Sequence, residues 1–267
     1  EGNRQGLHKS PHYGSSVEFA EYRDYMPGDP PNLLDWSVLA RSDRYVVRKF
    51  QEETNLSAHV LLDTSASLGF KGEGNCSKIE FSSFLAAGLG YILVRQGDSV
   101  GLLTFDDAIR VQFAPVASFE GLRPILLKLE EIIPQNRGNI EKTLHEAAEK
   151  IKRRSLFFVI SDFLQPPEQI IRGVYHLRHN GHEATLLHVI DRAEICLPYG
   201  GVAEVTDLET HEKMTVEMDE IRNAYTLQVE EHIRRLRKGC MDCSATYCVV
   251  ETTMTVEDAL GSRTRHA

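Results

Sequence analysis

The residues of this chain best suited to chemistry gather in one short run, Asp63-Thr64-Ser65-Ala66-Ser67, and at a second aspartate, Asp162. In a loop just after a strand, the spacing Asp-x-Ser-x-Ser turns one carboxylate and two hydroxyls toward a common point. All three are hard oxygen donors, the kind Mg2+ accepts while keeping several of its waters. Asp162, from a neighbouring strand end, would add charge or hold a metal-bound water. An ion held this way keeps an open position that a partner's carboxylate can fill. The same residues also have a purely structural use. Ser and Thr cap the helix that follows, and Asp63 accepts from backbone amides of its own loop.

Both aspartates stand at the ends of continuous apolar runs, 58–62 and 156–160, which read as buried parallel strands. Ligands of doubly wound sheets sit outside such strand ends, where the strand order reverses. The surrounding pattern supplies the rest of that sheet. Residues 78–95 suit a helix apolar almost all round, hence central and covered. Residues 100–105 and 109–113 read as strands across a turn at Asp106-Asp107, and 119–132 and 140–153 as amphipathic helices. A helix over 167–179 with Pro at its start leads to a strand at 184–190. The last part holds a hairpin (203–208 with 213–216), a long helix over 217–238 stopped by Gly239, and a final strand at 244–251. Strands alternating with helices mean an α/β fold, a mostly parallel sheet in three layers.

Ahead of this pattern, residues 1–45 are rich in Gly, Pro and Ser, with turn signals at Pro27-Gly28-Asp29-Pro30-Pro31. Tyr13, Phe19, Tyr22, Tyr25 and Trp36 are too many aromatics for a solvated tether. An irregular arm packed on the body is expected, followed by an edge strand at 45–50. The expected division is an arm and edge strand over 1–54, a core over 55–195, and a hairpin, helix and strand over 196–267 belonging to the same domain.

Composition sets outer limits. The chain has 267 residues, 42% of them hydrophobic and 26% charged, which is globular composition. No run of about 18 apolar residues exists, so no membrane insertion is expected. Residues 1–10 are polar, without the apolar stretch of a secretory leader. Five cysteines, an odd number, suit a reducing compartment, and a cytoplasmic location is expected. The net charge is -9, and residues 204–231 alone carry nine acids against Lys213 and Arg222. Nucleic-acid binders show the opposite balance, so no nucleic-acid partner is expected.

Other chemistries fall away on spacing. Cys240-Met241-Asp242-Cys243 is one half of a zinc site without its second pair, and reads as buried cysteines at a turn. No pair of histidines brackets a glutamate as in a zincin, and neither a P-loop nor a Gly-x-Ser-x-Gly elbow occurs. Aspartyl-phosphate hydrolases need a second acid two residues after the nucleophile. Here that position is Ser65, which removes the general acid.

Across nearly its full length the chain resembles the domain-of-unknown-function-58 family, whose core is von Willebrand factor A-like. The resemblance rests on the arm residues 14–19, Arg23-Asp24-Tyr25-Met26-Pro27-Gly28-Asp29 and residues 34–41. It continues in Val47-Arg48-Lys49-Phe50-Gln51-Glu52-Glu53, the Asp63 run, Ser161-Asp162-Phe163, Gly181-His182-Glu183 and residues 188–194. It implies a metal-ion-dependent adhesion site taking Mg2+ or Mn2+ through Asp63, Ser65 and Ser67, with Asp162 contributing. It also implies a working partnership with a MoxR-type AAA+ ATPase, as an adaptor or chaperone-associated module with an unidentified client protein, and the missing catalytic groups lead to the expectation of no enzyme activity. Two positions depart from the family pattern. Gly138 stands where such sites take a threonine, and Thr143 lies a turn inside the next helix. Asn32 stands where the arm usually carries arginine. Two other readings use the same residues: a metal-dependent hydrolase, and a scaffold that has lost its metal.

Overall fold

The structure is a computed structural model that describes residues 17–26, 29, 34–42, 44–52, 56–72 and 76–261. The chain divides into two compact units, Glu1–Asn55 and Leu56–Ala267. In the first, β1 (Val17–Asp24) pairs antiparallel with β2 (Val46–Glu52), and α1 (Trp36–Ser42) lies between them in sequence. Asp35 starts that helix by accepting from the backbone N–H groups of Ser37 and Val38, while the Tyr22 hydroxyl donates to its other oxygen. Among its described residues the segment therefore holds a strand and a short helix in place of the irregular arm expected. Its strand-forming residues find a partner in β2, which is an edge strand of this small ladder and not of the main sheet. Gly14–Ser16, Asn32 and most of the Pro27–Pro31 turn lie outside the described residues.

The second unit is built on six strands: β3 (Ser57–Asp63), β4 (Ser99–Phe105), β5 (Ile109–Val116), β6 (Leu156–Ser161), β7 (Glu183–Ile190) and β10 (Thr246–Glu251). Their order is β10-β7-β6-β3-β4-β5, all parallel except β5. From β3 the chain moves outward through β4 to β5, then returns to the other side of β3 with β6. The order thus reverses between β3 and β6, and that crevice is where ligands of such sheets bind.

Alternation along β3 separates two cores. Ala58, Val60 and Leu62 face a layer formed by α2 (Lys78–Arg95), α3 (Phe119–Glu130) and α8 (Val256–Gly261). Leu61, with Phe157 and Val159 of β6, faces α4 (Ile140–Lys150), α5 (Pro167–His179) and α7 (Met218–Asp242). The short helix α6 (Arg192–Cys196) follows β7, and β8 (Val202–Thr206) and β9 (Lys213–Glu217) form the hairpin that leads into α7.

Two expectations need correction. α2 is not covered all round, because Phe84 and Tyr91 are more than half exposed. Gly239 does not stop α7. A Cβ there would lie 2.5 Å from Ile171 Cγ1, so glycine lets α7 approach α5, and the turn is made further on by Ser244 at φ 56°. The final strand expected at 244–251 is β10, which pairs in register with β7 from Thr246 to Glu251 and completes the sheet.

Candidate functional site

Asp63 ends β3 and Asp162 follows β6, which puts both at the crevice where strand order reverses. Both are at least 96% buried. The loop after Asp63 is clamped from two sides. Thr64 donates its N–H and hydroxyl to Phe105 O, while Ala66 N–H donates to Asn136 O. The residues from Ala66 to Gly69 form a single 3-10 turn. Its first residues gain no side-chain cap from Ser65. The Ser65 hydroxyl instead lies 3.1 Å from that of Ser67, so the two oxygens converge as the spacing requires. Asp63 accepts from Ser65 N–H at 2.9 Å and from the Ser161 hydroxyl at 2.6 Å, both neutral donors. Burial, reinforced by the charge of Asp162, pushes the Asp63 carboxyl up to about 7.

Asp162 has a different neighbour. Lys78, the first residue of α2 and fully buried, places its Nζ 2.9 Å from Asp162 Oδ2 and 2.7 Å from Glu194 Oε1. Burial works against the ammonium, but the two carboxylates more than offset it and raise Lys78 to about 12. Glu194 is itself pushed upward by burial. Its other oxygen accepts from Asp191 N–H in the capping box of α6. A cavity of about 180 Å3 opens beside this triad, lined among others by Asp162, Glu194, His188, Tyr225 and His232. His188 is held neutral, lowered to about 3 chiefly by burial, and its Nδ1 meets the Tyr247 hydroxyl. Phe163, directly after Asp162, takes a left-handed φ of 48°, which is strained backbone for a bulky residue. Its N–H donates to the Ser161 hydroxyl, so one serine fixes both the strained turn and Asp63.

A third loop, residues 134–139, closes the crevice. Asp106 organises it, accepting from Asn136 Nδ2 and Arg110 Nε, while its carbonyl accepts from Asn139 N–H. Gln165 clamps the same loop, donating to Gly138 O and accepting from Ile140 N–H. Gly138 faces the hydroxyl pair directly. A Cβ there would stand 3.3 Å from Ser65 Cβ and 3.4 Å from its Oγ. Gly138, where the resemblance implies a threonine, lies beside the Ser65 side chain and presents no side-chain oxygen. Thr143 does not substitute, because its hydroxyl donates to Asn139 O inside α4. From the hairpin side, Glu209 accepts from Gly138 N–H at 3.2 Å and approaches Arg137.

The four residues expected from sequence therefore stand in one crevice, and Lys78, Glu194, Asp106 and Glu209 join them. Among the described residues, no three His, Cys, Asp or Glu side chains cluster closely enough to hold a metal. The donors at the Asp63 loop are one carboxylate and two hydroxyls, with Gly138 closely facing them. That set fits a small, hard cation completed by water.

The family model described as "Protein of unknown function DUF58" matches residues 21–235. The chain belongs to the DUF58 family. It is similar to "Uncharacterized protein Rv1480" of Mycobacterium tuberculosis, 27% identical over 237 residues, covering 85% of this chain and 73% of that one. Among solved structures it is similar to the conserved hypothetical protein BatB from Bacteroides thetaiotaomicron. There the TM-score is 0.51 at 15% identity, with 78% of this chain and 97% of that one covered. An aerotolerance-related membrane protein from Bacteroides fragilis gives a TM-score of 0.51 at 14% identity, covering 78% and 96%. The fold of this DUF58 chain is von Willebrand factor A-like. No helix among its described residues is long and apolar enough to cross a membrane.

Proposed function

We propose that this DUF58 chain is a non-enzymatic protein-interaction module that captures a partner through a cation-dependent site at the β3–β6 crevice. The observation that carries this reading is the convergence of the Ser65 and Ser67 hydroxyls beside a buried Asp63 whose own donors are neutral. A buried carboxylate without a cation is costly, and a bound ion removes that cost. Mg2+ or Mn2+, when bound, supplies a Lewis-acidic position for a carboxylate from the partner. Ser161 and the Ser65 N–H hold the Asp63 oxygens in place. Asp162, fixed by Lys78, contributes negative charge from the far side. Ser65 leaves no acid two residues after Asp63, which supports binding over hydrolysis.

The family resemblance supports a MoxR-type AAA+ ATPase as the partner, in the cytoplasm, with a client protein to be defined. Affinity capture from native lysate, in Mg2+ and in EDTA, tests this with the wild type and Asp63→Ala. Retention of an AAA+ ATPase by the wild type in Mg2+ alone is the expected result. One observation, the missing donor at Gly138, favours a metal-free scaffold instead. Equal retention under all conditions would identify that reading.

A further inference from the structure

We infer that His145 and His176 form a second binding site, for a divalent transition-metal ion, in the cleft between α4 and α5. Their Nδ1 atoms lie 2.5 Å apart and their ring centroids 4.8 Å apart. Two ring N–H groups do not fit at that separation, and two lone pairs facing each other repel. Without metal, one ring donates its Nδ1–H to the lone pair of the other; a metal ion takes the place of that proton between the two nitrogens.

A carboxylate stands on the far side of each ring, but only the one behind His176 is near enough to orient its N–H. Glu149 Oε1 lies 3.2 Å from His176 Nε2, and Glu141 Oε1 lies 3.9 Å from His145 Nε2. Arg172 holds Glu141 in place through two hydrogen bonds. A carboxylate behind an imidazole keeps the N–H on that side and the lone pair on the other, as it does behind metal-ligating histidines.

Imidazole nitrogen suits Zn2+, Cu2+ or Ni2+, not the hard ions suited to the Asp63 loop. Metal–nitrogen bonds of about 2.0–2.1 Å require the two Nδ1 atoms to open to roughly 3 Å. Both side chains have room for that small swing, being 42% and 25% exposed. A cavity of about 470 Å3, lined also by Tyr175, His179 and Cys243, gives the ion and its waters access. No third side chain of ligating type stands close enough among the described residues, so water completes the coordination. Bound metal would cross-link α4 to α5, and α4 begins at the loop that carries Gly138.

Calorimetric titration of the whole chain with Zn2+, in excess Mg2+ to saturate oxygen-donor sites, tests the assignment. One site is expected, weakened at least about tenfold by His145→Ala or His176→Ala and about tenfold by the surface change Glu149→Gln. Cys243→Ser should leave it intact. Absence of Zn2+ binding by the wild type would overturn the proposal, leaving a pair that shares a proton. Binding indifferent to the histidine variants, or lost only in Cys243→Ser, would overturn it equally. Thermal melts of the metal-free variants establish that each is folded.

Discussion

The two aspartates at the β3–β6 crevice stand at the ends of neighbouring strands, yet their surroundings are opposite. Asp162 is neutralised from within by Lys78, which it shares with Glu194. Asp63 has neutral hydrogen-bond donors, and its carboxyl is pushed up to about 7 by burial and by Asp162. The contrast shows how one crevice combines a closed half with an open one. The Lys78 triad is a fixed structural joint between α2, β6 and α6. The Asp63 loop retains a charge that a cation from solution can satisfy.

The largest expected effect breaks the closed half. Lys78→Met leaves Asp162 and Glu194 buried without their cation and should cost about 3–5 kcal/mol in urea unfolding. Asp162→Asn should destabilise in the same direction by less, because Glu194 still holds the ammonium. Asp63→Asn should do the reverse without metal, raising stability at pH 8 by removing an unbalanced buried charge. The pH dependence follows from the raised Asp63 carboxyl. Between about 4 and about 7 the folded Asp63 binds its proton more tightly than the unfolded chain does, so its contribution to stability falls as pH rises. Across that window each pH unit costs up to about 1.4 kcal/mol, measurable as the difference between wild type and Asp63→Asn. Added Mg2+ should recover stability at pH 8 in the wild type alone.

Smaller effects sharpen the comparison. Gly138→Thr adds a hydroxyl beside the Ser65–Ser67 pair at a position whose φ is not left-handed, with its Cβ a tight 3.3 Å from Ser65 Cβ. It should strengthen Mn2+ binding about tenfold, the worth of one good neutral donor to a charge. Glu209→Gln keeps an acceptor for Gly138 N–H but removes a charge at the rim. Mn2+ affinity should fall less than about threefold at low salt and recover as salt screens the charge.

Much of this arrangement is legible in the chain itself. The apolar runs ending at Asp63 and Asp162 define two parallel strands, and the spacing of Ser65 and Ser67 places their hydroxyls together. The family resemblance, not the spacing, singles out Gly138 as the position without threonine, and a Cβ there would face Ser65. What escapes are partnerships between distant residues. Lys78 meets Asp162 and Glu194 across 84 and 116 residues, and a lysine opening a helix reads as solvated because lysines are so seldom buried. Glu209 reads as one acid among nine. Gly239 reads as a helix stop because its close contact with Ile171 is tertiary. The β1–β2 ladder hides behind glycines and prolines that signal turns but not what the intervening strand pairs with. The six-residue α8 is too short for a periodic signal to emerge.

The central claim is that the Asp63 loop, and not the Lys78 triad, takes a divalent cation. Electron paramagnetic resonance titration of Mn2+ with wild type, Asp63→Asn and Ser65→Ala tests it most directly. Stoichiometric loss of the free Mn2+ signal with wild type, displaced by Mg2+ and abolished in Asp63→Asn, is the expected result, with Ser65→Ala weaker. Undiminished free Mn2+ in the presence of wild type, or equal binding by wild type and Asp63→Asn, would contradict it.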